Sequence, residues 1–292
     1  MSYRKRALIL GCSFTAGSYT WDPDNVIWHH VTQSDGSVKK IDSGVGRERL
    51  DTSHPWCRWL NPQDHYTVYG LPGAGIIQHA TILEQYYITD KLKDFDYVVL
   101  QTTFEPRLTF SNPDVAFDDL FEPPREDHKP PDNITMWLPQ GNGDTKIINF
   151  LNAHGNNANL GGNFTDSKHF VKQLFSGNTN RNAVQCAAEL INHRCAELKI
   201  PLFIFNFGKW IEENTATCPN ATVLPVPYAW GDGKDTMGIW MKKKYHVMGW
   251  IDPKINNRAD LGPSNDMFVG HYNIQGNKVI GQHVRKALEK LT

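Results

Sequence analysis

A serine at the end of a short apolar run is the first residue whose type and place can do chemistry. Ala7-Leu8-Ile9-Leu10 leads into Gly11-Cys12-Ser13-Phe14-Thr15-Ala16-Gly17. If the run is a strand of a parallel sheet, Ser13 falls on the rim where such sheets bind ligands. A helix or turn starting there leaves the Ser13 backbone N–H without an intrahelical partner and aimed at any anion beside the side chain. One residue can then supply both an attacking hydroxyl and an oxyanion donor. The same position equally suits a helix cap, and at this point both readings stand. Competing motifs fail. Thr15 stands where the nucleophile elbow GxSxG has its second glycine. No GxxxxGK[ST] string occurs, and Gly70-Leu71-Pro72-Gly73-Ala74-Gly75 does not spell GxGxxG. His29-His30, His54 and His65 lack a metal spacing such as HExxH, so no catalytic metal is expected. Arg107 can hold an anionic substrate group or pair with a neighbouring carboxylate. Trp210, Trp230, Trp240 and Trp250, with Tyr228 and Tyr245, either stack on sugar faces or pack a small core of their own. Lys242-Lys243-Lys244 reads as a solvated face.

The elements that must position Ser13 are legible as patterns. Ala7–Leu10, Tyr66–Tyr69, Tyr97–Leu100 and Leu202–Phe207 are short apolar runs bounded by Gly, Pro, Asp or Lys, as buried parallel strands are. Between and after them lie helical faces. Ile76, Ala80, Leu83 and Tyr87 make one; Val184, Ala187, Ala188, Ile191, Cys195 and Leu198 another; Val279, Ile280, Val284, Ala287, Leu288 and Leu291 a third. Strands alternating with helices predict an α/β fold, a mostly parallel central sheet covered on both faces as a three-layer α/β/α sandwich. Residues 18–54, 104–165 and 208–265 break this rhythm and read as long insertions that wall or cover the sheet edge, within a single domain spanning 1–292.

Composition narrows the function classes. The 292 residues are 40% hydrophobic and 21% charged, enough for a buried core. Thirty basic against 31 acidic residues leave a net charge of -1, which argues against a nucleic-acid binder and a polybasic membrane-surface protein. No apolar run is long enough to span a bilayer, and Met1-Ser2-Tyr3-Arg4-Lys5-Arg6 is not followed by a signal-peptide core. Cys12, Cys57, Cys186, Cys195 and Cys218 form no CxxC pair. The expectation is reduced thiols, a cytoplasmic location, and no disulfide framework or structural zinc. The sequons at Asn133, Asn163 and Asn220 are read as chance.

The segment Gly11-Cys12-Ser13-Phe14-Thr15-Ala16-Gly17 resembles the first block of the SGNH (GDSL-type) hydrolases, with Cys12 in place of the usual aspartate. Tyr66-Thr67-Val68-Tyr69-Gly70-Leu71-Pro72-Gly73 resembles the second block, and Asp266-Met267-Phe268-Val269-Gly270-His271 the last, ahead of a closing helix. The resemblance covers the sheet and its rim, about half the chain, and implies a flavodoxin-like SGNH fold. It implies a Ser13 nucleophile, His271 as base, and oxyanion donors at Ser13 and Gly73. It also implies an ester substrate, with O-acetyl groups on a carbohydrate as one class, and no cofactor; by residue type and place, Arg107 and Trp230 are the candidate substrate contacts. Two departures stand out. The family's aspartate position, three residues before the histidine, is Phe268, which leaves Asp266 as the candidate triad acid. The third block, usually Gly-x-Asn-Asp, reads Gln101-Thr102-Thr103-Phe104-Glu105. Thr102 is the expected third oxyanion donor, with Thr103 and Gln101 as alternatives. These departures keep a second reading open, a catalytically weak or inactive binding or structural module on the same fold.

Overall fold

The computed structural model describes residues 4–32, 37–72, 74–102, 107–111, 115–140, 147–151, 178–205, 218–225 and 274–291. The chain enters through β1 (Arg6–Cys12), a one-turn helix α1 (Ser13–Ala16), and an antiparallel pair β2 (Ser18–Thr32) and β3 (Val38–Asp51). A 3-10 turn at Trp56–Trp59 precedes β4 (His65–Leu71), helix α2 (Ile76–Ile88) and β5 (Tyr97–Gln101). Next come β6 (Arg107–Ser111), β7 (Phe121–Glu122), β8 (Ile134–Pro139) and β9 (Ile147–Leu151). Helix α3 (Asn178–Glu197), β10 (Leu202–Phe205), β11 (Ala221–Val223) and helix α4 (Ile274–Glu289) complete the described chain.

Seven of these strands form one sheet in the order β11-β10-β5-β1-β4-β8-β7, with every neighbour pair parallel except β7 and β8. This is an α/β fold, and its side chains divide by the period of two that a strand imposes. Ala7 and Ile9 face one core with Val68, Val99, Phe203, Trp56 and, from α4, Ile280 and Val284. Leu8 and Leu10 face the other with Val98 and Leu100, covered by Ile82 and Leu83 of α2 and Val184 and Ile191 of α3. Helices on both faces are compatible with a three-layer α/β/α sandwich. Helix α4 lies close against the Trp56–Trp59 turn because Gly281 is bare: a Cβ there would strike the Trp56 carbonyl oxygen.

The order of the strands around β1 matters for function. From β1 the chain passes to β4 on one side, then crosses to β5 on the other, with β8 lying beyond β4 and β10 and β11 beyond β5. The direction of winding therefore reverses at β1, and a crevice opens outside the carboxyl ends of the strands at such a reversal. Three stretches read from sequence as insertions contain further strands. Residues 18–32 and 38–51 pair as β2 and β3, and β6 pairs with β9. β7, β8 and β11 extend the main sheet at its two edges. Among the described residues no helix is long and apolar enough to cross a membrane.

Candidate active site

Ser13 follows β1 directly and opens α1 at the winding reversal. It is 4% exposed. Four residues cannot sustain a helix by themselves, because the first turn costs more order than its hydrogen bonds return. Nor is α1 capped by a side chain at Cys12. Its geometry is set by what surrounds it. On one side Ala16 lies against Gly70 of β4, where a Cβ would overlap the Ala16 backbone. At its exit Gly17 abuts the Asp51 carbonyl and accepts a hydrogen bond from the Asn277 amide of α4 at 3.2 Å.

The third support is a buried polar relay. The Trp56 indole N–H donates to the Thr15 hydroxyl at 3.2 Å, and that hydroxyl donates to the side-chain carbonyl of Gln101 at the end of β5. An indole can only donate, so the direction of the relay is fixed by chemistry. Gly11 makes room for it, since a Cβ there would collide with the Thr15 side chain. Thr15, Trp56 and Gln101 are fully buried. Among the described residues the Gln101 amide nitrogen has no hydrogen-bond partner. Burying such a donor unpaired costs about 1–3 kcal/mol.

Beside Gly17 lies a polar clasp. Asp51 accepts from the Ser53 hydroxyl at 2.5 Å and from its backbone N–H at 2.9 Å. His54 Nδ1 stands 2.6 Å from the Ser53 hydroxyl and 3.3 Å from Asp51. His128 Nδ1 approaches the same carboxylate at 3.6 Å, while the His128 carbonyl accepts from the Thr52 hydroxyl at 2.5 Å. Burial opposes ionisation of Asp51, but the two Ser53 hydrogen bonds and His54 outweigh it and hold the carboxyl below the usual range. Serine, histidine and aspartate meet here without forming a relay triad. The serine and the carboxylate both address the same imidazole nitrogen, whereas a relay triad places them on opposite ring nitrogens.

Of the site residues singled out from sequence, the described structure contains Ser13, Gln101, Thr102 and the backbone of Arg107. Thr102 follows β5 and is fully buried. Its backbone N–H donates to the Phe205 carbonyl at 3.0 Å, and its hydroxyl approaches the same oxygen at 3.5 Å. Arg107 opens β6, away from the main sheet's ladder. Gly73, Thr103, Trp230, Asp266 and His271 lie outside the described residues. Sequence reading missed the Asp51 clasp, because Asp51-Thr52-Ser53-His54 spells no known motif and His128 joins it from a separate segment. The relay did carry a signal, a glutamine closing the otherwise apolar run Tyr97-Val98-Val99-Leu100-Gln101. Comparison of the chain with models of known protein families gives no match, and comparison with curated proteins gives none either.

Proposed function

We propose that this protein is a serine esterase of the SGNH type, with Ser13 as nucleophile and His271 as general base. The reading takes the run β4-β1-β5-β10-β11, with β8 and β7 added beyond β4, as a flavodoxin-like sheet extended at one edge. The observation that carries it is the meeting of two distant segments at the winding reversal. Ser13 leaves β1 there, and Asn277, in the first turn of α4, is bonded to Gly17 at the exit of the Ser13 turn. His271 precedes α4 by three residues. The reading needs His271 to bridge back to Ser13 from the start of α4, and three residues of chain reach at most about 10–11 Å.

In this reading His271 takes the hydroxyl proton as Ser13 attacks an ester carbonyl, and the oxyanion rests on the N–H groups of Ser13 and Gly73. Thr102 joins them by exchanging its long hydroxyl contact with Phe205 for the oxyanion. Asp266 holds the imidazole tautomer. His271 then protonates the leaving alkoxide and activates water against the acyl-enzyme. O-acetyl groups on a carbohydrate are the proposed substrate class, contacted by Arg107 and Trp230. Aryl acetate hydrolysis tests this. Ser13→Ala is expected to keep the fold, read by circular dichroism, and to lose turnover by about a thousandfold or more. Unchanged hydrolysis by the variant removes Ser13 from the mechanism. The near-complete burial of Ser13 and the engagement of Thr102 favour the second reading, an inactive binding or structural module. That reading predicts no turnover in the unmodified protein.

A further inference from the structure

We propose that Gln101 is a positioning residue for the nucleophile, acting through Thr15 on the turn that carries Ser13; this rests on the serine-esterase reading above. A four-residue helix without a side-chain cap takes its orientation from its attachments. Of those, Ala16 against Gly70 is a steric stop and the Asn277 bond to Gly17 lies past the end of the turn. The Thr15 hydroxyl ties α1 to a strand of the sheet by a hydrogen bond that ends on Gln101. β5 is held in the sheet on both sides, by β1 and β10, so its last side chain is a fixed point. Trp56 donates to Thr15 from the opposite side and leaves the Thr15 proton to go to Gln101. The turn is therefore oriented by a directional bond as well as by the apolar packing of Phe14 in the core.

A second observation points the same way. Reversing the Gln101 amide would give its nitrogen to Thr15 and strand its oxygen instead, so either orientation leaves one end of this fully buried amide unpaired. For packing alone, an apolar side chain of the same length fills the position without that cost. Gln101 is thus a poor choice for stability and a good one for holding a hydroxyl, the pattern expected where local stability is given up for site geometry.

The test is a double-mutant cycle on ester hydrolysis with Gln101→Met and Thr15→Val, each close in shape and lacking one partner of the bond. Each single variant is expected to lose about ten- to a hundredfold in kcat. KM is expected to stay within about twofold, because the loss falls on the reacting geometry. Gln101→Met should melt no lower than the unmodified protein. The double variant should lose no more than the worse single one, since both remove the same bond. Gln101→Glu, which keeps an oxygen for Thr15, should recover part of the lost kcat. The inference is overturned if Gln101→Met turns over at the original rate, if its loss of kcat follows a loss of melting temperature, or if the two single losses multiply. Should one variant fail to fold, the other still decides through its kcat and KM. Failure of the esterase reading looks different: the unmodified protein then hydrolyses no ester and Ser13 takes no fluorophosphonate label.

Discussion

At the residue scale, the described site is shaped by polar atoms held in places that do not suit them. Ser13 sits almost out of water, and Gln101 keeps an unpaired amide end in the interior. Asp64 is a third case, at the opposite end of the sheet. It is 5% exposed, and one carboxylate oxygen lacks a hydrogen-bond partner. Burial raises its proton affinity by more than Lys5 and Arg4 lower it. A carboxyl whose pKa rises on folding binds protons more tightly when folded. Its penalty is therefore complete at neutral pH and relieved as pH falls through the raised value. Asp64→Asn is expected to raise the melting temperature at pH 7, with the gain vanishing near about pH 3. A thermal melt at both pH values checks this, and a lower melting temperature at pH 7 contradicts it. Ser13 was legible in sequence because a serine after an apolar run has few alternatives. The orphaned atoms of Asp64 and Gln101 were not, because solvation is a property of the packed molecule.

At the element scale, close approach of backbones does much of the positioning. β4 can lie against α1 only because residue 70 has no side chain. Gly70→Ala is expected to cost about 1–3 kcal/mol in urea unfolding, since the added methyl meets backbone rather than a movable side chain. The end of β3 is pinned to the turn at Glu126–His128 by the clasp around Asp51. Here the proton linkage runs the other way. The Asp51 carboxyl is held below its usual range, so its stabilisation is complete at neutral pH and lost as pH falls through the lowered value. Asp51→Asn should lower the melting temperature at pH 7, and the gap should close as pH falls below about 4. A constant gap across that range contradicts the assignment. The four strands and three helices expected from periodicity coincide with β1, β4, β5, β10 and α2, α3, α4 over their described lengths. β8 and β11 escaped notice for physical reasons. Ile134-Thr135-Met136-Trp137-Leu138-Pro139 lies between prolines and alternates in burial, and β11 is a three-residue edge strand that is mostly exposed. Neither carries the continuous apolar run that marks a central parallel strand.

At the scale of the whole molecule, topology turns a local sequence pattern into a site. Placing β4 and β5 on opposite sides of β1 puts the Ser13 turn, the end of β5 and the first turn of α4 at one rim, although they stand far apart in sequence. The sheet was foreseeable from alternation of strand and helix. Which strands flank β1 was not, since strand order follows from how the whole chain packs. The central claim is that an alcohol near the start of the chain is activated by an imidazole near its end. Intact-protein mass spectrometry after treatment with a fluorophosphonate tests it directly, with peptide mapping to locate the label. One adduct on Ser13 is expected, absent in Ser13→Ala and formed far more slowly in His271→Ala. No adduct on the unmodified protein, an adduct on another residue, or labelling indifferent to His271 would contradict the account.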